Sequence, residues 1–199
     1  MRRVVIATHN AKKAGEMATI LGRALPGWEF VTLADYPGAP EPEETAADYE
    51  GNAVIKAESA CAFTGEWCLA DDAGLEIDAL PGELGVLSKR FGGAELPFEA
   101  KMARVLAALE DVPEERRGAR FVCWVALARP GTVVETFSAT CEGRIARSMS
   151  GAGGFGYDPI FWLPERGCTM ASLTADEKHA VSHRGKVLAQ VIARLAELA

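Results

Sequence analysis

The chain lacks the features that would place it in several large functional classes. Its five cysteines, Cys61, Cys68, Cys123, Cys141 and Cys168, are odd in number and none forms a Cys-x-x-Cys pair, so there is no zinc spacing and no disulfide framework. No apolar run approaches a membrane span, and the apolar part of Met1–Ile6 is too short for a signal peptide. There is no basic excess: 21 Lys and Arg stand against 28 Asp and Glu, a formal charge of −7, which leaves no face for a general nucleic-acid binder. A nucleotide stays within reach, because a few local cations and a metal hold a triphosphate. No serine sits in a nucleophile-elbow context, which excludes a hydrolase triad of that kind. Repeats, low-complexity segments and interdomain linkers are missing too. The 199 residues therefore suit one domain, or one domain with two lobes, in a reducing, cytoplasmic setting with no membrane or nucleic-acid partner.

What is present is a run of glycine. Gly151–Pro159 reads Gly-Ala-Gly-Gly-Phe-Gly-Tyr-Asp-Pro, four glycines in six positions followed by an aromatic ring and a carboxylate. Glycine costs backbone entropy on folding, so such a run needs a reason: close approach to phosphate, or tight chain reversal. Gly151, Gly153 and Gly156 match a dinucleotide fingerprint in spacing, but that loop must open a helix and Pro159 disfavours helix at Asp158. The run thus reads as a nucleotide-contacting loop of another kind or as a glycine-rich hairpin without a ligand.

Periodicity predicts a strand over Arg3–Thr8 and a helix over Ala11–Leu25 capped by Asn10. A strand over Glu29–Leu33 follows, then an acidic, proline-rich loop over Pro37–Glu44. A helix over about 47–64 closes at Gly65, and a short buried strand over Trp67–Ala70 ends at Asp71-Asp72. Beyond an irregular Pro81–Gly93, a helix covers Pro97–Leu109. Phe121–Ala128 is apolar throughout, as a central strand is, and Val133–Ile145 returns as its hairpin partner. Trp162 lies in a short extended piece, and a final helix from Arg184 carries Leu188, Val191, Ile192, Leu195 and Leu198 on one stripe. The order implies a mixed α/β sheet flanked by helices.

Four constellations could carry chemistry. Thr8-His9-Asn10-Ala11-Lys12-Lys13 lies where a strand turns into a helix, where amides point at phosphate; the bland reading is a plain cap with solvated lysines. Asp71-Asp72 follows an apolar strand, so one carboxylate faces a site while the other bonds backbone, and Glu43-Glu44 offer a further acid; the bland reading is an Asp-Ala-Gly turn on the surface. Magnesium needs one or two carboxylates plus substrate phosphates. Glu50, Asn52 and Lys56 lie on the second helix, where Glu50 facing inward as another acid is the alternative to a solvated face, the default. Ser182-His183-Arg184, with Lys178 before it, places cations at a helix start that favours anions; a bound anionic ligand explains this, and so does a serine cap with exposed charges.

Taken in order along the chain, Ala7-Thr8-His9-Asn10 with Lys13 and Glu16, Glu43-Glu44-Thr45, Asn52-Ala53 with Lys56-Ala57, Ala70-Asp71-Asp72 with Gly74-Leu75, Gly153–Pro159 and Ser182-His183-Arg184-Gly185 resemble the non-canonical purine nucleoside triphosphate pyrophosphatases, the inosine/xanthosine triphosphate (dITP/XTP) pyrophosphatase family. The resemblance runs from Val4 to the last helix. It implies a long mixed twisted sheet in one domain, with two lobes around a central nucleotide cleft. It implies a homodimer, Mg2+, and hydrolysis of ITP, dITP and XTP to the monophosphate and pyrophosphate. It makes Asp72 base and metal ligand, gives Glu43 or Glu44 to the metal, and gives Thr8, His9, Asn10, Ala11, Lys12 and Lys13 to the phosphates. Phe155, Gly156, Tyr157, Asp158, Lys178, His183 and Arg184 then hold base and sugar. Two positions depart from the family: Ala73 stands at a substrate-binding position where serine is usual, and Leu87 where tyrosine is common. Two rivals keep most of these residues: a non-catalytic nucleotide sensor, and a pyrophosphatase for other modified nucleotides.

Overall fold

Seven strands form one mixed sheet in the order β2-β1-β3-β4-β5-β6-β7 in this computed structural model, which describes residues 2–199. In chain order the elements are β1 (Arg2–Ile6), α1 (Ala11–Ala24), β2 (Trp28–Thr32), α2 (Tyr49–Thr64), β3 (Trp67–Ile77), α3 (Phe98–Ala108), β4 (Gly118–Ala128), β5 (Glu135–Ile145), β6 (Phe161–Leu163), β7 (Cys168–Thr169), α4 (Ala175–Val181) and α5 (His183–Glu197). β1 pairs in parallel with β2, Val4 opposite Phe30, and with β3, Val5 opposite Cys68. β6 pairs antiparallel with both β5 and β7. The sheet is mixed and helix-flanked, as the element order implied.

The chain divides into two units. The first runs to Asp72 and takes in Cys123–Ala139 and Arg184–Ala199; the second comprises Ala73–Val122 and Thr140–His183. In the first, strand alternation sorts side chains onto two faces. Val5, Ala7, Cys68, Ala70, Ala126 and Ala128 share a cluster with Ala53, Ala57 and Ala60 of α2. On the α2 side the buried members of this cluster are all alanine, opposite small residues of the sheet such as Ala7, Ala70, Ala126 and Ala128. Leu69 has the opposite parity on β3, and the buried Met17 and Leu21 of α1 and Val187, Leu188, Val191 and Leu195 of α5 supply apolar surface of their own. The second unit has a separate core around Leu75, Met102, Val105, Leu109, Phe121, Ile145, Tyr157, Ile160, Phe161 and Met170.

Several boundaries moved, each for a local reason. β3 does not end at Asp71-Asp72 but continues to Ile77. Both aspartates are held by cations within the first unit, and Leu75 and Ile77 rebury the strand beyond them. α2 begins at Tyr49 because the Asp48 side chain caps it by accepting from Gly51 N. Pro97 is the cap of α3 and not its first turn. β5 starts at Glu135, leaving Val133 87% exposed. α4 was not expected, although Thr174 and Glu177 spell a capping box, and both of its bonds are formed.

All five cysteines are free. Cys68 and Cys123 are fully buried, and burial pushes their thiols up to about 11 and about 12. At about pH 8 a thiol at about 11 is ionised roughly one part in a thousand, and the thiolate is the nucleophile. An alkylating reagent followed by peptide mass spectrometry should therefore label the half-buried Cys168 and Cys61 first. Cys68 and Cys123 should resist until denaturant is added.

Candidate functional site

The first unit gathers seven of its charged side chains on and around β3. Asp71 and Asp72 are neighbours on one strand, so they point to opposite faces and each meets different helices. Asp71, with no side-chain exposure, accepts from Arg184 of α5 through Nε at 3.3 Å and Nη2 at 3.0 Å, and lies 3.1 Å from Lys13 Nζ of α1. Arg184 also donates through Nη1 to Glu16 at 2.7 Å. Burial alone would raise the Asp71 carboxyl, but the charges of Lys13, Arg184 and Lys56 hold it well below the usual carboxylate range. Asp71 Oδ1 is buried with no hydrogen-bond partner among the described residues.

Asp72 faces α2. Its Oδ1 accepts from Lys56 Nζ at 2.9 Å, and Asn52 Nδ2 lies 3.5 Å from its Oδ2. The same Lys56 ammonium reaches Glu44 Oε1 at 3.1 Å. Burial raises the Asp72 carboxyl above its ordinary value even with Lys56 beside it. On Lys56 burial acts to lower the pKa, and the charges of Asp72, Asp71 and Glu44 outweigh it. Neither aspartate shows the backbone bond expected of one of them; their partners are cations and an amide. The solvated face expected for the second helix is wrong at two positions: Asn52 is buried and Lys56 bridges two carboxylates. Of the acidic pair in the preceding loop, Glu44 joins this cluster, while Glu43 is exposed.

At the start of α1, Asn10 Oδ1 accepts from Lys12 N at 3.1 Å and Lys13 N at 3.2 Å, so its side chain takes the first-turn amides. Thr8 Oγ1 accepts from Asn10 N, a ring nitrogen of the exposed His9 lies 3.4 Å from Pro40 O, and Ala11 and Lys12 are exposed. The amides therefore form a plain cap, but Lys13 is not the solvated lysine of that reading: it turns onto Asp71.

The second unit builds a different cluster. Asp158 Oδ2 accepts from Phe155 N at 2.8 Å and from Lys178 Nζ at 2.7 Å, and that ammonium lies 4.5 Å from the Phe155 ring centroid. The buried Tyr157 hydroxyl donates to Ser88 O at 2.9 Å, and its ring meets Phe98 edge-on at 5.4 Å. Tyr157 is thus a brace within the unit's core. The His183 ring stacks on Phe121 at 4.7 Å. Ala73 is half-buried, and Leu87 is 46% exposed at the end of a 3-10 turn.

The glycine run is explained largely by the chain itself. A Cβ at Gly151 would stand 2.4 Å from the Ala171 backbone, one at Gly153 3.0 Å from Ala171 O, and one at Gly154 2.0 Å from Asp158 Oδ2. Gly151, Gly154 and Gly156 also adopt left-handed φ of 80°, 70° and 67°. The glycines close the loop on residues 171–173 and let Asp158 reach Phe155 N. Gly154→Ala should break the Asp158 turn and cost about 1–3 kcal/mol in urea unfolding, the range for a residue forced into a strained backbone region.

Among the described residues no three His, Cys, Asp or Glu side chains come together as a metal cage. Glu44 and Asp72 do converge, on one cation, which fits magnesium's habit of taking one or two carboxylates and leaving the rest to water and phosphate. No helix among the described residues is long and apolar enough to cross a membrane.

Residues 4–194 match the model of the Ham1 family. Among curated proteins, the chain is 48% identical to a dITP/XTP pyrophosphatase of Geobacter sulfurreducens over 189 residues, covering 95% of this chain and 94% of that one. It is 45% identical to the dITP/XTP pyrophosphatase of Exiguobacterium sibiricum over 193 residues, 97% and 96% of the two chains. Among solved structures, the Ham1 protein of Staphylococcus aureus superposes with a TM-score of 0.88 at 33% identity over the whole of both chains. The Nucleoside-triphosphatase / dITP/XTP pyrophosphatase of Mycobacterium abscessus gives 0.75 at 44% identity, covering 95% of this chain and 98% of that one.

Proposed function

The chain belongs to the Ham1 family, and on that premise we propose how its residues hydrolyse non-canonical purine nucleoside triphosphates (ITP, dITP and XTP) to the monophosphate and pyrophosphate. The observation that carries the reading is the pair of adjacent β3 carboxylates turned to opposite faces, one locked by Arg184 and Lys13 and the other meeting Glu44 at Lys56.

Asp72 is the general base. Its carboxyl is raised by burial, which brings its basicity nearer to working pH, and it takes the proton from a water aimed at the α-phosphorus. Glu44 and Asp72 hold a divalent ion, which we take to be Mg2+; when bound it neutralises charge on the triphosphate and orients it. Thr8–Lys13 face the phosphates, with Lys12 and Lys13 as the cations. Phe155 stacks on the base, a contact worth about 1–3 kcal/mol in single-strand binders. Asp158 and Lys178 fix the Phe155 backbone and ring, with Gly156 and Tyr157 in the same loop.

Selectivity rests on position six of the purine. Hypoxanthine and xanthine present a carbonyl there and adenine an amino group. His183 and Arg184 are assigned to donate to that carbonyl, with Arg184 held rigid by Asp71 and Glu16. An adenine amine would face donors and leave them unpaired, a mismatch that sites of this type reject strongly. A homodimer and a cytoplasmic setting belong to the same reading.

Pyrophosphate release from a nucleotide panel, with magnesium and with chelator, tests it. Fast magnesium-dependent release from ITP, dITP and XTP, with ATP slow, is expected. No release from any triphosphate would leave a nucleotide sensor as the better account, and release confined to other modified nucleotides would relocate the substrate class.

A further inference from the structure

Lys56 occupies an unusual position for a lysine. It lies on α2, one turn beyond Asn52, with its side chain 16% exposed. Its Nζ reaches Asp72 Oδ1 at 2.9 Å and Glu44 Oε1 at 3.1 Å, so one ammonium spans a carboxylate from β3 and one from the loop before α2. Asn52 works in the same sense. Its Oδ1 accepts from Ala46 N at 3.0 Å, two residues from Glu44, and its Nδ2 lies 3.5 Å from Asp72 Oδ2. A single turn of α2 therefore ties the Glu44 loop to the strand that carries Asp72.

These are the two carboxylates assigned above to the divalent ion. Each of these oxygens keeps further lone pairs, but a divalent ion drawn to the same two acids would lie close to the Lys56 ammonium, and like charges at that range repel. Without any cation, the two acids would repel each other where burial limits the relief that water gives.

Resting on the metal assignment of the proposed function, we propose that Lys56 is a built-in competitor and place-holder for the metal: its ammonium keeps Glu44 and Asp72 converged, and metal binding displaces it from both. Lys56 is then a positioning residue with two opposed effects. It preorganises the pair, and it lowers affinity for free metal, because each binding event has to break two ion pairs.

Amine acylation of the wild-type protein by an N-hydroxysuccinimide ester, read at Lys56 by peptide mass spectrometry, tests the displacement directly. Lys56 is expected to be protected without metal and to become several-fold more reactive when magnesium saturates the protein without nucleotide. Calorimetric titration of magnesium into Lys56→Met and Lys56→Gln should give a dissociation constant about tenfold tighter than wild type, the shift expected when one competing partner worth a single decade is removed. Their thermal midpoints without metal should fall, and the gain on adding metal should exceed that of wild type.

Unchanged Lys56 protection at saturating magnesium overturns the proposal, as does unchanged or weaker metal binding in both neutral variants. Those results leave the metal assignment intact so long as Glu44→Gln and Asp72→Asn lose the magnesium heat seen in wild type. If that heat is absent from wild type, or survives both carboxamide variants, the metal assignment fails and the place-holder role fails with it.

Discussion

Asp72→Asn is expected to lower kcat by at least about 10²–10⁴, the range that a positioned general base contributes. The substitution preserves shape and still offers Lys56 an oxygen to bond, so the first unit should fold as before. What disappears is the proton acceptor and one charge of the Glu44–Asp72 pair. KM for ITP, or the affinity for a non-hydrolysable analogue, should move much less than kcat, because the phosphates and base are assigned to other residues. Steady-state pyrophosphate release combined with analogue titration separates the two quantities. If kcat stays within about tenfold of wild type, well under that contribution, the base is another residue. If binding collapses together with turnover, Asp72 acts mainly through substrate affinity.

The largest stability effect should come from Arg184→Met. Arg184 is buried with its side chain 3% exposed, and it serves Asp71 and Glu16 together. Removing the guanidinium leaves two buried carboxylates with Lys13 as the remaining cation on Asp71. Breaking a buried pair from one side costs about 3–5 kcal/mol, which corresponds to a fall of roughly 6–20 °C in Tm for a chain of this size. Urea unfolding measures it, and a loss below about 1 kcal/mol would mean that the site relaxes or hydrates around the change. Changing both partners should recover part of the loss: Asp71→Leu with Arg184→Met removes one of the two stranded carboxylates, while Glu16 stays without Arg184 and Lys13 without Asp71.

The same network sets an acid sensitivity. The Asp71 carboxyl is held below its ordinary value of 3.8, so the folded chain binds that proton more weakly than the unfolded chain does. Its contribution to stability is present above the unfolded value and is lost as pH falls through and below it. Arg184→Met removes one of the charges that depress Asp71, so this part of the acid dependence should shrink in the variant.

Much of the architecture was legible because it rests on local rules. β-branched runs, alanine and leucine periodicity, Asn10 as a cap and Gly65 as a left-handed stop act over a few residues, and they hold in the structure. α4 was legible in principle through Thr174 and Glu177, a capping box that was not used. The extension of β3 through Asp71-Asp72 was not, because two adjacent acids read as a strand end until their partners from α1, α2 and α5 are in place.

The order of the motifs along the chain determined the family, and strand alternation determined that Asp71 and Asp72 would serve different faces. Tertiary structure alone decided who meets them. Lys56 and Asn52 read by default as part of a solvated helix face, and Glu16 entered only through the family resemblance. They are in or around the cluster because α1, α2 and α5 bring distant positions to one strand, 113 residues apart for Asp71 and Arg184. The glycine run shows the converse. Its composition suggested a ligand, yet the close approaches that demand Gly151, Gly153 and Gly154 are to Ala171 and Asp158 of the same chain. A sequence records that a backbone must come close to something, and only the packed chain says to what.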